Sequence, residues 1–74
     1  MAVRLFLSSG TQRAIDAADS AHLDDAFFKV TKRDPGTGRV DTLLTLRSTE
    51  VVVAEVLRDG VVTDLILGRG QAST

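Results

Sequence analysis

The run TEVVVAEVLRDGVVTDLILG, Thr49 to Gly68, constrains this chain more than any other stretch. Asp59-Gly60 is a strong two-residue hairpin signal, because a type I′ turn needs positive φ at both central positions. The two arms around it are apolar on both faces. A two-residue turn pairs Leu57 with Val62, Glu55 with Asp64 and Val53 with Ile66. One face then carries Val52, Ala54, Val56, Val61, Thr63, Leu65 and Leu67 without a charge, and is the expected core face. The other carries Val51, Val53, Leu57, Val62 and Ile66, interrupted by the carboxylates Glu55 and Asp64 directly opposite each other. Opposed like charges cost roughly 0.2–1 kcal/mol. A three-residue loop would separate them but would move Glu55 onto a face with Val53 and Leu65, where desolvation costs more. The two-residue turn is therefore expected, with Arg47 or Arg58 near the acidic pair.

The second apolar face must be covered, and a chain of 74 residues has little to cover it with. At this size one core is marginal, and small domains commonly rely on staples or oligomerisation. Cysteine is absent and His22 is the single histidine, so neither disulfides nor a Cys/His zinc site is available, and no metal or other cofactor is expected. Covering an exposed apolar side chain stabilises by roughly 1.5–3 kcal/mol, and contiguous exposed patches mark contact surfaces. Val51, Val53, Leu57, Val62 and Ile66 are accordingly the expected self-association residues of a homo-oligomer or larger protein assembly. The competing cover is intramolecular: the sheet curls into a small barrel, or the segment before Ala26 folds over it as a helix.

Elsewhere Val3, Leu5 and Leu7 alternate with Arg4, Phe6 and Ser8, the period of a half-buried strand. After the break at SSG, Arg13, Ile15 and Ala17 read as a returning strand, with a loop at Ser9–Thr11 that sets Ile15 opposite Leu5. The alternative for TQRAIDAADSAHLDD is a short helix near residues 13–23, with Thr11 as its N-cap and Ile15, Ala18 and His22 on one face. AFFKVTKR is a clearer strand, and DPGTG after it is turn chemistry. Keeping Phe28 and Val30 on one face with Val40, Leu44 and Leu46 requires an odd loop that pairs Val30 with Leu44 and Phe28 with Leu46. The fold class is thus all-β, a small antiparallel meander or partly open barrel of five to six strands, with α+β as the alternative. Residues 1–68 form a single domain and 69–74 a polar tail, flexible unless a partner holds it.

Candidate chemistry is sparse. His22 lies among Asp16, Asp19, Asp24 and Asp25 without the spacing of a metal or catalytic site, and reads as a solvated acidic loop. Ser8 and Ser9 sit in an ordinary turn that lacks a strand-to-helix nucleophile elbow. DPGTGR has no following helix or Lys to complete a phosphate cradle. The outer face of the middle hairpin is expected to carry Phe27, Lys29, Thr31, Arg33, Arg39, Asp41, Leu43, Thr45 and Arg47. Of these, Phe27, Lys29, Arg33, Arg39 and Arg47 could track a phosphate backbone while the ring stacks on a base, which makes a nucleic-acid-binding regulator the alternative function. Net charge is -1, so no global field draws nucleic acid or an anionic membrane. No 18-residue apolar run or signal peptide is present, and a cytoplasmic or virion location without membrane contact is expected. Seven Arg against two Lys, with Ala, Val, Asp, Thr and Gly plentiful, is what GC-rich codons encode, and suggests an actinobacterium or one of its phages. The preferred function is non-enzymatic: a small structural or interaction protein that self-associates through its C-terminal hairpin.

Overall fold

Asp59 and Gly60 take φ of 54° and 77° and close a two-residue turn, so that Arg58 faces Val61 and Leu57 faces Val62. This turn organises the last third of the computed structural model, which describes residues 1–71. Seven strands run in order: β1 (Ala2–Leu7), β2 (Gln12–Asp16), β3 (Ser20–Asp24), β4 (Phe27–Arg33), β5 (Val40–Arg47), β6 (Val51–Arg58) and β7 (Val61–Leu67). A single 3-10 turn at Ser48–Glu50 carries the chain from β5 to β6. The protein is all-β, with two antiparallel sheets that do not close into a barrel. Sheet A has the order β2-β1-β6-β7 and sheet B the order β3-β4-β5.

The count is seven strands and not five or six, because residues 12–24 form two strands where one strand or a helix was expected. Ala17 takes a φ of 64° and breaks the extended backbone between β2 and β3. Its N–H donates to the Met1 carbonyl, and that of Asp19 donates to the Thr31 carbonyl, so the corner is tied to both sheets. The supposed helical stripe of Ile15, Ala18 and His22 is divided among a strand, the corner and the next strand. In the first hairpin Val3 faces Ile15 and Leu5 faces Arg13, two residues away from the expected register. A shift of two preserves the side-chain face, so Ile15 still packs on the core.

The core lies between the sheets. Val3, Leu5, Val51, Ala54 and Val56 from sheet A meet Ala21, Phe28 and Val30 from sheet B, with Ala18 buried at the corner. Val30 faces Leu44 and Phe28 faces Leu46, as the apolar pattern requires. Leu43 then forms a bulge, so the register shifts: Thr31 faces Thr42 and Arg33 faces Val40. The even turn Pro35–Gly38 follows, closed by an Asp34 N–H to Arg39 carbonyl bond, and the odd loop is not needed. Val40 was expected inside; the bulge leaves it 50% exposed, and Thr31 is buried instead.

Two further bulges decide sheet A. One lies in β6 against β1, between the pairs Phe6–Val53 and Leu7–Val51; the other lies in β7 at Thr63, between Leu57–Val62 and Val56–Asp64. Each inserts one residue and moves everything beyond it to the opposite face. The tail is also partly structured. Gly68 N–H donates to the Val52 carbonyl, Arg69 N–H to Ser48 and Gly70 N–H to Val51, so residues 68–70 are strapped across the start of β6. The rest of the expected flexible tail, residues 72–74, lies outside the described residues.

Candidate functional site: the outer face of sheet A

The cross-strand pairs give the outer face of sheet A three rows. The first runs Gln12, Phe6, Val53, Leu67; the second Ala14, Arg4, Glu55, Leu65; the third Asp16, Ala2, Leu57, Val62. Six of these twelve positions are large apolar residues, and those of β7 are the most open: Leu65 is 63%, Leu67 70% and Val62 42% exposed. The chain measures 43 × 27 × 15 Å along its principal axes. Two packed sheets stand about 10 Å apart, so the short dimension accommodates two layers and, among the described residues, no third over this face.

Of the expected self-association residues, Val53, Leu57 and Val62 lie here. Val51 and Ile66 do not. The β6 bulge turns Val51 inward, where it is fully buried, and Ile66, opposite Ala54, packs against the core. The β7 bulge exchanges the two faces of the distal half of β7, so Leu65 and Leu67, expected inside, point outward. Val61, also expected inside, is exposed beside the turn. Phe6, Leu65 and Leu67 are the apolar members of the face that pattern reasoning missed. Phe6 was legible, since it alternates with the buried Leu5. The other two depended on the bulge.

The bulge also resolves the charge conflict. Glu55 faces Leu65 and Asp64 faces Val56, so the two carboxylates are no longer opposed. The Thr63 hydroxyl donates to the Val56 carbonyl at 3.2 Å and anchors the inserted residue. Glu55 instead pairs with Arg4, Nε to Oε1 at 3.4 Å, in the middle row between the two central strands. The expected partners lie elsewhere: Arg47 is in sheet B, and Arg58 lines a cleft together with Asp64.

That cleft, about 740 Å³, opens between the sheets at the end where Met1, Val56 and Arg58 meet Ser20, His22, Thr31 and Arg33. Its charged lining is mixed, with Asp19 and Asp64 beside Arg33 and Arg58. Asp19 accepts the Arg33 backbone N–H at 2.6 Å, which commits it to holding β4. Among the described residues no group of three or more His, Cys, Asp or Glu is placed to hold a metal ion.

The basic residues of the middle hairpin do not form one surface. Phe27 faces Arg47 and Lys29 faces Thr45 at one end of sheet B, whereas Arg33 lies at the other end and Arg39 in the turn before β5. Lys29 is paired with Asp24 at 3.2 Å and Arg39 with Asp41 at 3.3 Å, which reduces the charge available to a phosphate backbone. Among the described residues no helix is long and apolar enough to cross a membrane. Comparison with known proteins finds no matching family model, no similar curated protein and no similar solved structure.

Proposed function

We propose that this chain is a non-enzymatic structural or interaction protein that self-associates through the outer face of sheet A, centred on its C-terminal hairpin. The observation that carries the reading is the apolar character of that face: Phe6, Val53, Leu57, Val62, Leu65 and Leu67 surround one ion pair, and the β7 leucines stand largely open to solvent. Each side chain covered contributes up to roughly 1.5–3 kcal/mol, and the half-buried ones less. Six from each of two copies offset the 4–15 kcal/mol or so lost in translational, rotational and side-chain freedom on association. A subunit of a larger assembly, such as a phage virion, is the narrower form of the proposal, supported by the surplus apolar face and GC-rich residue usage.

Sedimentation velocity over a range of concentrations tests it, on the wild type and on Val53→Lys with Leu67→Lys. The expected result is an oligomer that the double variant converts to a folded monomer. A wild type that stays monomeric at high micromolar concentration refutes self-association. If that monomer also retards oligonucleotides at low salt, where phosphate contacts are strongest, the function moves to the Phe27, Lys29 and Arg47 end of sheet B.

A further inference from the structure

The Arg4–Glu55 pair determines how such a face meets its partner. It joins the two central strands of a four-stranded sheet, in the middle of three rows, and so occupies the centre of the face. The contact is single, through Arg4 Nε and Glu55 Oε1, with the side chains 42% and 22% exposed. No other salt bridge or side-chain hydrogen bond involves either group among the described residues. The guanidinium Nη donors and the second carboxylate oxygen are therefore open to solvent. A cover that excludes water must supply their partners, because half-satisfied buried charges are strongly destabilising.

Resting on the self-association reading, we propose that the occupant is a second copy whose twofold axis runs along the strand direction between β1 and β6, so that Arg4 of each chain pairs with Glu55 of the other. Arg4 and Glu55 are directly opposed cross-strand partners, at the same height along that axis. A half-turn about it lays β1 on the partner's β6 and β2 on the partner's β7, superposing the whole of one sheet on the other. Phe6 then meets the second copy's Val53, and Leu65 its Ala14. The four central charges alternate in sign, and each guanidinium gains a second carboxylate. An axis between β6 and β7 would instead press Glu55 onto Leu65 and leave the carboxylate without a new donor.

Charge reversal that preserves the pair within each chain provides the test. The double variant Arg4→Glu with Glu55→Arg keeps its intramolecular pair and keeps complementarity toward its own kind, but presents like charges to the wild type. Isotope-labelled wild type is mixed with unlabelled double variant, and the mixed oligomer is measured by native mass spectrometry. The expected result is that both proteins self-associate with similar affinity while the mixed dimer falls about tenfold or more below its statistical share, since like charges facing each other oppose the wrong pairing. In a second arm, Arg4→Glu alone and Glu55→Arg alone are each expected to associate weakly, and a mixture of the two to associate well. Free mixing of double variant and wild type overturns the proposed axis while leaving self-association standing. A monomeric wild type overturns both.

Discussion

Replacing Gly68 by Ala tests the part of the fold that is least obvious from the sequence. A Cβ at Gly68 would collide with the Val51 carbonyl and lie 2.9 Å from Val51 Cβ, and one at Gly70 would come within 2.7 Å of the Thr49 carbonyl oxygen. The nearest atoms are mainly β6 backbone, which cannot swing aside, so the strap of residues 68–70 must lift. Three backbone hydrogen bonds go with it, to Val52, Ser48 and Val51. At roughly 0.5–1.5 kcal/mol net each, their loss alone costs about 1.5–4.5 kcal/mol. Uncovering Val51, fully buried in the native state, adds to that. Stability of a domain this size is of order 4–11 kcal/mol, so Gly68→Ala removes a large share of it. Urea denaturation followed by circular dichroism is the assay, and thermal melts should fall by about 4–8 °C per kcal/mol lost. Gly36→Ala is the control: its Cβ would meet only Asp34 Oδ1 at 3.4 Å, without a positive φ, and should change stability by less than about 1 kcal/mol. If Gly68→Ala matches Gly36→Ala, the strap is not seated against β6 and the account of the C-terminus is wrong.

Two other outcomes follow from the bulges and one from the β6–β7 turn. Leu44→Asp should cost about 3 kcal/mol or more while Leu43→Asp costs under about 1, because Leu44 packs on the core and the bulged Leu43 is 45% exposed; equal losses in chemical denaturation would contradict the register. At dilutions where the wild type is monomeric, Val51→Lys should unfold the domain, whereas Leu65→Lys should leave its melting curve within about 1 kcal/mol of wild type, and the reverse order would place the β6 and β7 bulges wrongly. Asp59→Val should cost about 1–2 kcal/mol and Asp59→Asn little, since position 59 holds a φ of 54° that Asn tolerates and a β-branched residue does not.

Much of the architecture was written in local pattern. The Asp59-Gly60 turn, the alternation in β1 and the pairing of Val30 with Leu44 follow from residue type and spacing, which act between near neighbours. The bulges were not written that way, because an inserted residue changes face membership without changing composition. One clue existed. Both simple registers for the last hairpin carried a penalty, either Glu55 opposite Asp64 or Glu55 among apolar neighbours. The chain keeps the two-residue turn and inserts Thr63, which avoids the opposed carboxylates and sends Leu65 and Leu67 outward. A conflict between turn chemistry and charge was thus the signal for a bulge. The exchange of Ile66 for Leu65 and Leu67 on the outer face turned on it, whereas Val51 was turned inward by the separate β6 bulge. The strap at Gly68 and Gly70 had no signal of its own, since close backbone approach is a tertiary fact and a Gly-x-Gly tail reads as flexible.

The central claim is that the outer face of sheet A meets another copy of itself, and methyl NMR across a dilution series measures that most directly. With Leu and Val methyls labelled, the account predicts concentration-dependent shifts at Val53, Leu57, Val62, Leu65 and Leu67, with intermolecular contacts between them in a mixed-label sample. Core methyls of Leu5, Val30 and Val56, and the exposed Leu43 of sheet B, should stay fixed. Spectra that do not change from low to high micromolar concentration, or changes centred on Leu43 and Val40, would contradict it.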